Sequence, residues 1–289
     1  MTPFFSIITT SYNNGSLIAE AISSVLEQVF DDFELIVCDN CSTDESWAVI
    51  SSFADTRVKK YRHSVNMGMY KNLNYAVSRA QGKYIKFLNS DDVMHPDCLL
   101  CISLAIRESS FSSDLPNYVG HRLVQSDRAS PAWLASRFAK PDLLEECIKT
   151  SVNLAIGLPN ACVDRIHFIS SGLFGHPNPV KDFSRDVLSL GLASVGCKLI
   201  FISQALVLER THPNQSRTSM LPTKRYQLDE YLLVYRELGF LSTAAGKKWF
   251  FQLWLRHLRS SFKYLALNRD PSYLAFVIVF LMTRYPFAG

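Results

Sequence analysis

Over roughly the first ninety residues, short apolar runs alternate with stretches whose apolar positions recur every three or four residues. The run 4–12 is rich in β-formers and stops at the turn signal Asn13-Asn14-Gly15. Leu17, Ile18, Ala21, Ile22, Val25, Leu26 and Val29 then predict an amphipathic helix over 17–29. A second strand is predicted over 33–38, followed by a helix over 45–53 that Ser42 or Thr43 would N-cap. A weaker strand over 58–62, a helix over 72–80 and a strand over 84–88 complete the series. Such strand–helix alternation predicts an α/β fold, a parallel sheet with helices on both faces.

Polar residues collect where these strands end: Thr10 to Asn13, Asp39-Asn40 and Asp91-Asp92. Open α/β sheets bind ligands at that edge, and three strands delivering polar groups to it make a nucleotide-binding crevice. The strongest signal is the strand that runs into Asp91-Asp92. Adjacent carboxylates repel unless a cation sits between them, so the pair reads as a divalent-metal and phosphate site. Taken alone, it reads equally well as a solvated turn capping the next helix.

Four segments together resemble glycosyltransferase family 2. They are 6–14 (Ser-Ile-Ile-Thr-Thr-Ser-Tyr-Asn-Asn), 34–44 (Glu-Leu-Ile-Val-Cys-Asp-Asn-Cys-Ser-Thr-Asp), Asn66-x-Gly68 with Asn74, and 80–92 ending Asn89-Ser90-Asp91-Asp92. The resemblance implies a GT-A fold (Rossmann-like, mostly parallel, flanked by helices), a nucleotide-diphosphate sugar donor, Mn²⁺ or Mg²⁺, and inversion at the anomeric carbon. It places Thr10, Tyr12, Asp39, Asn40, Asn74 and Asp91 at the donor, and Asp92 at the metal. Asn40 stands where the family often has a second acid, and its amide oxygen can still accept from a uracil or thymine N–H. Asn89 replaces the more frequent leading aspartate, which leaves the cation to Asp92, water and the diphosphate.

Further along, Gly172-Leu173-Phe174 precedes Lys181-Asp182-Phe183-Ser184-Arg185-Asp186 and an apolar helix with Val187, Leu188, Leu190, Leu192 and Ala193. It looks like the family's acidic segment, whose acid is the general base. Asp186, at the start of that helix, is the first candidate and Asp182 the second; a carboxylate stabilised by the helix dipole is the plainer reading. Arg210-Thr211-His212 looks like the Arg-x-His element that closes the domain, with Arg210 on the diphosphate and His212 on the metal. The chemistry implied is a single displacement by an acceptor hydroxyl.

With 289 residues and 48% apolar content, the chain is expected to form one core plus an appendage. The expected division is a GT-A domain over 1–220, its donor half 1–100 and its acceptor and catalytic half 101–220, followed by a helical region over 221–289. The first strand starts at once, so no signal peptide is expected. Seven cysteines, an odd number, fit a reducing cytoplasm. Cys38-x-x-Cys41 and Cys98-x-x-Cys101 are too far apart for a zinc ribbon; Cys38 completes an apolar strand, and Cys98 and Cys101 sit among apolar residues.

From Phe240 onward, seven Lys or Arg face one acid, Asp270, so this tail carries +6 and the rest of the chain about −2, for a net +4. Aromatics interleave with the basic residues, and ten apolar residues, 273–282, fall short of the roughly twenty that span a bilayer. The region reads as an element docking on a membrane surface, or as an appendage packed on the domain or in an oligomer. No nucleic-acid recognition motif accompanies the charge.

Expected partners are the nucleotide-diphosphate sugar and a glycan or lipid-linked oligosaccharide acceptor, at the inner face of a bacterial plasma membrane. Two alternatives remain: a sugar-nucleotide nucleotidyltransferase, which would want a basic Gly-rich loop after the first strand, and a non-catalytic nucleotide-sugar-binding protein.

Overall fold

The apolar runs of the N-terminal third become strands because helices cover both of their faces. The structure is a computed structural model and describes residues 2–110, 115–126, 158–175, 189, 190, 193 and 197–212. β1 (Phe5–Ser11), β2 (Phe33–Asp39), β3 (Val58–Arg62) and β4 (Tyr84–Phe87) are mutually parallel, in the order β3-β2-β1-β4. All of β2 is buried, which is why it reads as a continuous apolar run rather than an alternating one.

α1 (Gly15–Leu26) and α2 (Ser46–Ser52) set Ile18, Ile22, Val25 and Ile50 in one core with Phe5, Ile7, Leu35 and Val37. α3 (Met69–Arg79) covers the opposite face, packing Leu73, Ala76 and Val77 in a second core with Ile8, Ile36 and Phe87.

After the acid loop come β5 (Val93–Met94), α4 (Cys98–Ser110) and β6 (Asn117–Ser126), then a 3₁₀ turn (Leu158–Asn160), β7 (Ala161–Asp164), α5 (Arg165–Ser170) and β8 (Lys198–Arg210). The sheet order is β3-β2-β1-β4-β7-β6-β8-β5. Here the sheet departs from a purely parallel arrangement: β7 is antiparallel to β4 and β6, and β5 is antiparallel to β8. β6 and β8 are parallel and run past the end of β7, so the acid loop crosses their extensions before pairing as β5.

Other expectations are corrected. α1 stops at Leu26 instead of Val29, because Gln28 leaves the helix to bind the start of α4. Its side chain donates to the His95 carbonyl (2.7 Å) and accepts from the Leu99 amide (3.0 Å), while Val29 is 62% exposed. Neither Ser42 nor Thr43 caps α2. Asp44 accepts from the Ser46 amide (3.0 Å), and the Ser42 hydroxyl accepts from the Asn13 amide (3.0 Å). The cysteines of the apolar runs lie in the cores, and burial pushes the Cys38 and Cys98 thiols up to about 12. The boundary at 220 and the appendage over 221–289 lie outside the described residues.

One buried acid fastens the start of the sheet. Glu34 Oε1 accepts from the Ser6 hydroxyl (2.6 Å) and the Gln81 and Gly82 amides (2.7 and 3.3 Å). Gly82 permits this close approach, since a Cβ there would stand 2.5 Å from the Ser6 nitrogen. Glu34→Ala strands the Ser6 hydroxyl hydrogen and the Gln81 amide, while the Gly82 amide keeps the Ser6 hydroxyl oxygen as an acceptor (2.8 Å), and urea denaturation is expected to show a loss of about 2 kcal/mol, within the penalty for unsatisfied buried groups.

Candidate active site

The polar edge of the sheet is built by loops that hold one another. Asn13 takes a left-handed φ of 51° between β1 and α1, and its side-chain oxygen accepts from the Thr43 amide (2.9 Å). Asn14 donates its amide hydrogens to the Ser90 hydroxyl (2.7 Å), tying this loop to the acid loop. The Asn40 amide nitrogen on the chain donates to the Ser11 carbonyl (2.8 Å), continuing the β1–β2 ladder past its last pair, Ser11 with Asp39.

Asp39 ends β2 fully buried. Its Oδ2 accepts from the Ser42 amide (3.0 Å) and lies 3.5 Å from Arg62 Nε. Asp39 Oδ1, the Ser11 hydroxyl beside it and the Thr9 hydroxyl are buried and have no hydrogen-bond partner among the described residues. Buried acceptors left this way are costly, and a bound donor group offsets the cost. Asn40 is committed elsewhere: its Oδ1 accepts from the Met67 amide (2.9 Å) and its Nδ2 donates to Asn66 Oδ1 (2.8 Å). Asn66 also accepts from the Gly68 amide, and Gly68 opens α3 at a φ of 85°.

The two neighbouring aspartates differ sharply. Asp92 is fully buried, and both of its oxygens accept protein donors: Oδ2 from the Asn89 amide (2.8 Å), Oδ1 from the Arg210 backbone N–H (3.2 Å). Burial first, then the Asp91 and Glu209 carboxylates, push its carboxyl well above the ordinary range. Asp91 keeps 15% of its side chain exposed and sets Oδ2 3.0 Å from His212 Nε2, itself 18% exposed. Arg210 fixes this arrangement. Its guanidinium donates to the Asp91 carbonyl and the Leu17 carbonyl (3.0 Å) and pairs with Glu20, so acid loop, β8 and α1 meet at one residue.

These groups stand on an architecture whose N-terminal part matches a known sequence family: glycosyl transferase family 2 aligns with residues 6–152, just over half of the chain. The chain belongs to glycosyltransferase family 2. A UDP-Glc:alpha-D-GlcNAc-diphosphoundecaprenol beta-1,3-glucosyltransferase of Escherichia coli, WfgD, is 40% identical over 88 residues, which is 30% of this chain and 35% of that protein. The match thus spans about a third of that relative's length.

Among solved structures, residues 1–349 of S. aureus TarS in complex with UDP-GlcNAc superpose with a TM-score of 0.69 at 19% identity, covering 95% of this chain and 78% of that one. The mannosyltransferase PcManGT of Pyrobaculum calidifontis, in complex with GDP-Man and Mn²⁺, gives 0.59 at 14% identity, covering 98% and 87%. At these identities the likeness is one of fold: the family 2 chain has the GT-A architecture, a mostly parallel sheet flanked by helices.

Of the residues expected at the site, the structure brings Thr10, Tyr12, Asp39, Asn40, Asp91, Asp92, Arg210 and His212 to one edge of the sheet. Tyr12 is 47% exposed there. Three are already engaged within the protein. Asp92 is an internal acceptor, the Arg210 guanidinium is spent on two carbonyls and Glu20, and the Asn40 oxygen holds Met67. Asn74, on α3, accepts from the Phe174 amide (3.2 Å).

Asp182 and Asp186 lie outside the described residues; of the helix expected after them, Leu190 and Ala193 are buried in the second core. Sequence reasoning missed Glu20, Asn14 and Ser90 as parts of the edge. Ser90 lies inside the recognised motif, whereas an acid on the polar side of an amphipathic helix carries no signal of its own.

Among the described residues, no group of three His, Cys, Asp or Glu converges on a metal-sized point. Asp91 and His212 are a pair, and a pair suits a cation that fills its other positions with water and diphosphate oxygens.

Proposed function

We propose that the chain transfers a sugar from a nucleotide-diphosphate donor, UDP-linked by preference, to a hydroxyl of a glycan or lipid-linked glycan acceptor. The observation that carries this reading is the Asp91–His212 pair, partly open and 3.0 Å across, on the same sheet edge as the unpartnered Asp39 oxygen. Asp39 Oδ1 offers an acceptor to an imide N–H such as that of uracil, the role the sequence suggested for Asn40. Tyr12, half-exposed at the same edge, offers a ring to stack on a base.

Asp91 and His212 would hold Mn²⁺ or Mg²⁺, with the imidazole favouring Mn²⁺. When bound, such an ion neutralises charge on the departing diphosphate. Asp92 acts from beneath, fixing the loop through Asn89 and Arg210.

The protein's remaining task is to place the acceptor in line and take its proton. Asp186 is the base in this reading and Asp182 its substitute. The acceptor oxygen attacks the anomeric carbon, the bond to the nucleoside diphosphate breaks with inversion, and the proton passes to the carboxylate. The relative acting on a diphosphoundecaprenol-linked sugar supports a lipid-linked acceptor. The basic, aromatic tail over 240–289 would bring the enzyme to the cytoplasmic face of a membrane. Among the described residues, no helix is long and apolar enough to cross one.

The test is release of nucleoside diphosphate from UDP-, dTDP- and GDP-sugars by the full chain with Mn²⁺, with and without a polyprenyl-diphosphate N-acetylglucosamine acceptor. Acceptor-stimulated release from one donor is the expected result; release from none of them would overturn the reading. Asp186→Asn should cut turnover by about 10²–10⁴-fold while nucleotide affinity stays within about twofold. If Asp182→Asn shows that pattern instead, the base is Asp182.

A further inference from the structure

We propose that Asn160 accepts a hydrogen bond from a sugar hydroxyl at the reaction centre, through its amide oxygen. The inference rests on the nucleotide-sugar reading and deepens it by giving a sugar hydroxyl a hydrogen-bond acceptor besides the general base. Three observations converge on Asn160.

The first is placement. β7 runs antiparallel to β4 with Cys162 level with Lys86, so Asn160, two residues earlier, is level with Leu88. Leu88 directly precedes Asn89-Ser90-Asp91-Asp92. The 3₁₀ turn therefore stands at the edge that carries the acid loop. β7 lies three strands from β2, and at the usual spacing that puts it about 14 Å from the end of Asp39's strand. The acid loop leaves the sheet from β4, between the two. A base at Asp39, a diphosphate near Asp91 and a sugar toward Asn160 follow one another in the order in which they are bonded.

The second is the state of the side chain. Asn160 is only 9% exposed, yet its Oδ1 has no hydrogen-bond partner among the described residues. An amide oxygen takes a neutral O–H or N–H donor and repels phosphate oxygens, which selects a sugar hydroxyl over the diphosphate.

The third is how firmly the turn is held. Lys86, on a central strand, is fully buried, and its ammonium donates to the Phe87 carbonyl (2.8 Å) and the Pro159 carbonyl. A buried ammonium is costly to keep, and this one fastens the residue before Asn160 to the strand that ends in the acid loop.

The hydroxyl belongs either to the transferred sugar or to the acceptor, and two arms separate these. Calorimetry with Mn²⁺ would compare UDP, UDP-glucose and UDP-N-acetylglucosamine on wild type, Asn160→Ala and Asn160→Asp. A second arm measures KM for a polyprenyl-diphosphate N-acetylglucosamine. UDP should bind all three proteins within about twofold. Asn160→Ala should lose about tenfold either in UDP-sugar affinity, assigning the transferred sugar, or in acceptor KM, assigning the acceptor. Asn160→Asp keeps an acceptor oxygen and should lie closer to wild type.

If Asn160→Ala matches wild type in both arms, or loses UDP affinity in parallel with UDP-sugar affinity, the proposal is wrong. A wild type that binds no UDP at all would instead remove the nucleotide-sugar reading, and this inference with it.

Discussion

Asp91→Asn is expected to lower sugar transfer by about 10²–10³-fold and to abolish the dependence of nucleotide binding on a divalent cation. Asp92→Asn is expected to keep turnover within about tenfold of wild type. The two carboxylates are adjacent, and the difference comes from what already occupies their oxygens. Both oxygens of Asp92 accept protein donors, and the side chain has no exposed surface. Asp91 is partly open and faces His212.

Asparagine at 92 still accepts from the Arg210 amide, and the Asn89 amide can turn over to accept from the new N–H. The Asp92 carboxyl is raised by burial and by Asp91 and Glu209, so the fold holds its proton more tightly than the unfolded chain does. Its contribution to stability is therefore greatest at low pH and declines as pH rises above the ordinary carboxylate range. Asp92→Asn removes that decline, and thermal melts from pH 5 to 8 should show the variant gaining on wild type as pH rises.

Arg210→Ala should be the most destabilising single change at this edge. The guanidinium is almost fully buried, and it joins the Asp91 carbonyl, the Leu17 carbonyl and Glu20. Truncation strands both carbonyls and leaves the Glu20 carboxylate without its cation. Glu20 is about a third exposed, which places the expected loss near 3 kcal/mol, at the lower end of the range for breaking a buried ion pair. The effect on activity should exceed what the stability loss predicts, because Asp91 is no longer held opposite His212. Arg210→Lys keeps the charge but cannot bond two carbonyls and a carboxylate at once, and should recover stability more than turnover. Urea denaturation and turnover measured on the same three proteins test both halves. An Arg210→Ala protein as stable as wild type, with only its nucleotide affinity reduced, would return Arg210 to the diphosphate.

β1, β2 and β4 were legible because each is buried on both faces, which writes an apolar run that turn residues then punctuate; β3, at the edge of the sheet and partly exposed, left only a weak signal. The place of His212 at this edge was legible as well, through the resemblance of Arg210-Thr211-His212 to the family's Arg-x-His element. The difference in burial between Asp91 and Asp92 was not. It goes with the Arg210 backbone N–H, 118 positions away, from which the Asp92 carboxylate accepts. For the same reason the bond that the Asn40 oxygen accepts from the Met67 amide left no local mark. Glu34, Gln28 and Lys86 sit within or beside apolar stretches and carry no local mark of the buried bonds they make. Asn160 follows a proline in an unremarkable turn. Only the β4–β7 register brings it level with the acid loop, and an antiparallel strand inserted into a parallel series has no signature in local periodicity.

The central claim is that this sheet edge binds a nucleoside diphosphate through a cation held by Asp91 and His212. Calorimetric titration of UDP into the full chain, with and without Mn²⁺, tests it most directly when run on wild type, Asp91→Asn and Asp92→Asn. The account predicts that Mn²⁺ tightens UDP binding at least about tenfold in wild type and Asp92→Asn, and not in Asp91→Asn. Tightening that survives in Asp91→Asn and disappears in Asp92→Asn would contradict it.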